Sequence, residues 1–141
     1  MPRFSHSTKA QLINPRKIYA IDLGLVNVVS SVLTEDAGRK LENLVFLHLR
    51  KKYAELYYFD EKGECDFVAM KNGQVMELVQ VCYELTADNL QRELNGLLAA
   101  MRFFGQQNAT IVTFAGADQI VKEGFTVEVV PAYQYLVSQV V

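Results

Sequence analysis

What the sequence lacks narrows it first. It has two cysteines in 141 residues, Cys65 and Cys82, without CxxC spacing and both within predicted strands. That pattern excludes a disulfide framework and a cysteine zinc site, and it reads as reduced thiols in a cytoplasmic protein. No apolar run approaches the roughly 18–20 residues that a membrane-spanning helix needs, so no membrane partner is expected. Met1–Ser7 has one Arg, one Phe and no apolar stretch, which is not a secretory signal. The phosphate-loop pattern GxxxxGK[ST] is missing, so this chain is not itself an ATPase. The two histidines, His6 and His48, have no metal-type spacing. His6 sits in a polar lead-in, and His48 falls on the polar side of a helix, where solvation is expected. There is no internal repeat and no low-complexity segment.

What is present is enough for one domain. Half of the residues are hydrophobic, so a core forms without disulfides or metals. The net charge of −2 argues against tight, non-specific nucleic-acid binding. A basic group, Arg39, Lys40, Arg50, Lys51 and Lys52, brackets one helix and reads as dipole complement and solvation.

Residues 1–16 are polar, punctuated by Pro2 and Pro15, and read as a linker or strap following an upstream part of a longer protein. Residues 17–141 read as the folded domain. Ile18–Leu25 alternates briefly and stops at Gly24, as a short strand and then a helical turn through Val32 would. Leu41, Leu44, Val45, Leu47 and Leu49 predict a helix over about 39–53. Three strands follow, at Glu55–Phe59, Glu64–Met70 and Val75–Tyr83, the last two joined by an Asn72-Gly73 hairpin signal. A long helix runs from about Asp88 to Phe104, capped by Thr86 or Asp88 and closed by Gly105. Ala109–Phe114 and Phe125–Val130 read as strands, and Ala132–Val140 as a short helix after Pro131. An antiparallel meander joined through a helix to a parallel strand gives a mixed sheet flanked by helices, an α/β (α+β) fold.

Four residues sit oddly in these elements. Glu42 lies near the apolar face of its helix, where a carboxylate needs a partner or a favourable place in the first turn. Asp66 occupies mid-strand, sharing a face with Glu64, Val68 and Met70. Gln80 and Cys82 share a face of the most apolar strand, and Gln80 must find hydrogen-bond partners there. Cys82 has no activating base nearby. Tyr57, Tyr58 and Phe59 are expected to pack a strand more than to stack bases. Arg92 and Glu93 either cap the site or form a surface pair.

A helix with Glu, a strand with Asp, a hairpin to a further strand, a helix and a strand: this order resembles the PD-(D/E)XK nuclease-like superfamily. Gly38-Arg-Lys-Leu-Glu-Asn-Leu-Val45, Tyr57-Tyr-Phe59, Gly63-Glu-Cys-Asp-Phe-Val68 and Leu78-Val-Gln-Val-Cys82 look more specifically like one subset. It is the domain found C-terminal to AAA-type ATPase modules in many bacterial and archaeal proteins. Lys17-Ile-Tyr-Ala-Ile-Asp-Leu-Gly24 is similar to its leading segment, and Val129-Val-Pro-Ala-Tyr133 to its end.

The resemblance implies a restriction-endonuclease-like core and an upstream ATPase module as partner. It also implies a site where Asp and Glu on neighbouring strands hold Mg²⁺ or Mn²⁺ and a Lys assists the nucleophile. Carried onto this chain, the helix acid is Glu42 and the strand Asp is Asp66. The Glu position falls on Gln80 and the Lys position on Cys82. A neutral amide weakens a hard-cation site and a thiol supplies no ammonium. Lys71 on the hairpin is the nearest lysine in sequence to take its place. The expectation is a degenerate binding and scaffolding domain, able to dimerise, that holds a divalent ion weakly if at all through Glu42, Asp66 and Gln80. The alternative is a divalent-metal-dependent nuclease acting on DNA.

Overall fold

The computed structural model describes residues 1–21 and 37–137. Ser7 starts helix α1 (Thr8–Ile13) by accepting a hydrogen bond from the Ala10 amide. Helix α2 (Ala37–Lys52) follows, then strands β1 (Glu55–Asp60), β2 (Glu64–Lys71) and β3 (Gln74–Val81). Helix α3 (Leu90–Phe104) leads to β4 (Asn108–Thr113), β5 (Asp118–Lys122), β6 (Phe125–Pro131) and α4 (Ala132–Val137). The fold is α+β, with one six-stranded mixed sheet in the order β1-β2-β3-β4-β6-β5. The pairs β1–β2, β2–β3 and β5–β6 are antiparallel, while β3–β4 and β4–β6 are parallel.

Both faces of the sheet are covered, which is why its central strands read as nearly unbroken apolar runs. Val68, Leu78 and Ile111 pack with Leu94, Leu97 and Met101 of α3. Their strand neighbours Phe67, Val79 and Val112 pack on the other face with Leu41, Val45 and Leu49 of α2, and with Tyr135 of α4. Each such side chain taken fully from water contributes about 1.5–3 kcal/mol.

The turns follow from residue chemistry. Asn72 and Gly73 both take positive φ, 52° and 75°, as a two-residue hairpin between right-twisted strands requires. Gly105 ends α3 in the left-handed conformation, and the Gln106 amide reaches back to the Met101 carbonyl.

Several sequence expectations change. The helix α3 starts two residues later than Asp88. Its cap position is Asn89, whose side chain accepts from the Thr86 amide while the Thr86 hydroxyl accepts from the Asn89 amide. Leu44 is exposed on α2 and Asn43 is buried in its place. Glu42 stands in the second turn of α2, because the helix begins at Ala37, so the N-terminal dipole does not account for it. His48 is half-buried: it packs against Tyr135 at 5.2 Å, and its Nε2 is buried without a hydrogen-bond partner among the described residues. The strand β5 and the helix α1 have no counterpart in the sequence reading. The segment expected to form a strand and then a helical turn has no strand at residues 18–21, and its remainder lies outside the described residues, as do 138–140 of the last expected helix.

Residues 2–4 lie along the outer edge of β1, and the chain returns through α1 to bridge Arg16 with Pro2. The Phe4 amide donates to the Tyr58 carbonyl, and the Tyr58 amide donates to the Pro2 carbonyl. The Phe4 ring sits edge-on to Tyr57 and Phe104. This course carries Lys17 over the end of β2.

Candidate functional site

The sheet opens at one place. The β2–β3 ladder is last paired at Phe67 and Val79. Beyond it β2 stays with β1, through Cys65 and Glu64, while β3 stays with β4, through Gln80 and Val81. The two strands therefore fork, and backbone groups that would have paired across the gap need other partners. Side chains supply them. The Asp66 amide donates to Gln80 Oε1 at 3.0 Å, and the Val81 amide donates to Asp66 Oδ2 at 2.9 Å. A buried Asp and a buried Gln thus stand where the sheet lacks main-chain bonds.

A cleft of about 820 Å³ lies over this fork, lined among others by Lys17, Glu42, Glu64, Asp66, Gln80 and Glu93. The Lys17 ammonium is its centre. It lies 3.0 Å from Asp66 Oδ1 and 3.6 Å from Glu42 Oε1, and it pairs with Glu64. Glu42 also accepts a hydrogen bond from the Tyr19 hydroxyl. Asn43, next along α2, fixes the lead-in at this point by accepting from the Ala20 amide and donating to the Ala20 carbonyl, both at 2.8 Å. From α3, Glu93 accepts from Gln80 Nε2 at 2.7 Å and from the Arg92 guanidinium at 2.8 Å.

The electrostatics follow from burial and crowding. Burial raises the Asp66 carboxyl, the Glu42 charge adds to it, and Lys17 and the Val81 amide pull the other way, leaving it at about 7. Burial penalises the Lys17 charge, but Asp66, Glu64 and Glu42 outweigh it and hold the ammonium above its ordinary range. Tyr19 is raised by burial and by Glu42.

Of the residues singled out from sequence, Glu42, Asp66 and Gln80 share this cleft. Cys82 does not line it. It lies past the end of β3, its thiol donating to the Glu84 carbonyl and accepting from Asn89 Nδ2. Burial and then Glu93 raise its thiol, which disfavours the thiolate. Lys71 is exposed at the far end of β2 and is not the lysine of this site; Lys17 is. Glu93 is 9% exposed and faces the cleft through Gln80, while the exposed Arg92 pairs with it as the sequence allowed. Tyr58 and Phe59 are buried and pack their strand. Lys17 and Glu64 were missed as site residues. Period two along β2 already placed Glu64 beside Asp66, whereas nothing local in sequence ties Lys17 to a strand 49 residues away.

A divalent ion needs several free oxygen donors converging on one point. Among the described residues, no group of three or more His, Cys, Asp or Glu side chains is disposed to hold a metal. The carboxylates converge on an ammonium, and the Gln80 oxygen is committed to the Asp66 amide. Turning the Gln80 amide over would set its oxygen against the Glu93 carboxylate and its NH₂ against an amide N–H, so that oxygen is not available. As arranged, the residues do not fit the metal that the family resemblance implies.

None of the described helices is long and apolar enough to cross a membrane. Cys65 and Cys82 are both free thiols. No family model matches the chain, and no solved structure matches it at a significant level. The chain is 36% identical over 143 residues to the uncharacterized protein MJ1544 of the archaeon Methanocaldococcus jannaschii. That alignment takes in 94% of this chain but 31% of the relative, so the chain spans less than a third of the length of the longer protein to which it is similar.

Proposed function

We propose that this chain is a PD-(D/E)XK nuclease-like domain that works by binding and scaffolding, without cleaving, within a cytoplasmic protein of the AAA-type ATPase family. The observation that carries this reading is Lys17. Its ammonium sits among Asp66, Glu64 and Glu42, where the superfamily places a divalent ion. An internal cation neutralises the carboxylates, and Gln80 ties the fork together instead of offering a ligand. Likeness to part of a longer archaeal protein supports the role of one module in a larger assembly. The free thiols support a reducing compartment.

The second reading is a Mg²⁺- or Mn²⁺-dependent nuclease acting on DNA. What favours it is the same lysine, which returns to Asp66 the ammonium that Cys82 cannot supply.

One experiment separates the two. Thermal unfolding is followed while Mn²⁺ or Mg²⁺ is titrated, alongside incubation with supercoiled plasmid. The binding reading expects no metal-dependent rise in Tm and no nicking. A rise abolished by Asp66→Ala, with plasmid cleavage lost in Lys17→Ala, would establish the nuclease in its place. The ATPase part is tested separately, by sequencing the DNA upstream for a phosphate-loop codon pattern; its absence removes that part.

A further inference from the structure

A second cleft, of about 730 Å³, opens at the carboxyl ends of the parallel strands β3 and β4. Crevices at such strand ends are where open sheets with parallel pairs take ligands. The parallel pairing continues past the strands, with the Phe114 amide donating to the Tyr83 carbonyl at 3.0 Å. That bond sets the Tyr83 and Phe114 rings face to face, 5.0 Å apart and 14° from parallel. Both rings remain open to solvent, at 40% and 57% exposure. The Thr113 hydroxyl donates to the Gly116 carbonyl at 2.6 Å, which folds the following turn back over the cleft. Leu90, Ile120 and the buried Val129 give it apolar lining. Its charged lining residues are Glu84 and Asp118, and among the described residues no Lys, Arg or His lines it.

We propose that this cleft binds a cationic side chain, an arginine or lysine presented by a partner protein. The rings offer negative π faces, the two carboxylates offer charge, and the apolar lining accepts an aliphatic stem. A phosphate-bearing ligand would meet two side-chain carboxylates there and, among the described residues, no cationic side chain, which disfavours nucleic acid as the occupant. This cleft shares no lining residue with the Asp66 cleft.

The test uses the full chain, isotope-labelled, with hexa-arginine as probe and hexa-citrulline, hexaglutamate and oligothymidylate as comparisons. Amide shifts are expected at 83–87 and 113–118 with hexa-arginine and with none of the others. Phe114→Ala and the double variant Glu84→Gln/Asp118→Asn should each weaken binding on the order of tenfold. Amide spectra without probe establish that the variants are folded. Phe114→Tyr, which keeps the ring, should restore binding. Shifts centred on Glu42, Asp66 and Glu93 instead, equal binding of citrulline, binding of the thymidylate at this cleft, or variants that bind like wild type would each overturn the proposal.

Discussion

Lys17 holds three carboxylates together at the fork, and its removal exposes what they cost. Asp66 is 6% exposed, and Lys17 is its principal counter-charge at 3.0 Å. Breaking a largely buried pair from one side leaves the other charge uncompensated. Lys17→Met should therefore lower unfolding free energy at pH 7 by about 2–4 kcal/mol, read from urea midpoints at constant m. A change under about 0.5 kcal/mol, the range of an ordinary surface site, would sink this account. Asp66 itself should imprint a pH dependence. Its carboxyl is raised from 3.8 to about 7 in the folded chain, so the unfolded chain releases that proton first as pH rises. Its contribution to stability is then fully present below about 4, falls through the window between 4 and 7, and is flat above. The slope cannot exceed about 1.4 kcal/mol per pH unit. Asp66→Asn, which keeps an oxygen for the Val81 amide, should flatten that part of the profile; identical slopes for both proteins would contradict the assignment.

At the scale of elements, the site depends on how closely α3 lies against the β1–β2 turn. Gly63 has a φ of 143°, and a Cβ there would come within 2.8 Å of the Gly96 Cα. A Cβ on Gly96 would come within 2.2 Å of the Glu64 carbonyl oxygen. Backbone meets backbone, so no side chain can swing aside. Gly96→Ala should destabilise by at least about 3 kcal/mol, at the upper end of overpacking, despite the helix propensity gained. The exposed neighbour Asn95→Ala should stay within about 0.5 kcal/mol. Because Glu93 is one turn before Gly96, the variant should also lose the Glu93–Gln80 bond, seen as a shifted Gln80 side-chain amide resonance. The helices and central strands were legible because burial on two faces writes long apolar runs. β5 was not, since an edge strand with mostly exposed residues carries little periodic signal; its Glu123-Gly124 turn, at φ 54° and 83°, was the available mark. Glu42, Asp66 and Gln80 were legible as polar residues in apolar company. Lys17 was not, because a lysine in a polar lead-in looks solvated until the fold returns it to the sheet.

At the scale of the molecule, the lead-in decides what kind of object this is. A flexible linker could be removed without consequence. These residues instead give β1 its outer main-chain bonds, through Pro2, Phe4 and Tyr58, and the Tyr58 hydroxyl donates to the Pro15 carbonyl at 2.7 Å. Phe4 adds its ring to Tyr57, Phe103 and Phe104. The Met1 nitrogen donates to the Lys17 carbonyl at 2.6 Å and the Lys17 amide donates to the Met1 carbonyl at 3.0 Å, which helps to place the lysine. The partly buried Phe4 ring contributes less than the roughly 1.5–3 kcal/mol of a fully buried one, and each of the three hydrogen bonds involving Tyr58 about 1 kcal/mol. Deleting residues 1–16 removes these contacts and should therefore destabilise the domain. It should also bare the β1 edge, whose unpaired amides and carbonyls are a template for another chain. The shortened protein should unfold at lower temperature and shift to larger mass with rising concentration, by light scattering on a sizing column. Because Lys17 remains but loses its support, the pH profile of the shortened chain should move toward that of Lys17→Met. An unchanged Tm and an unchanged mass distribution would mean that the segment is a linker, and that Lys17 reaches Asp66 without it.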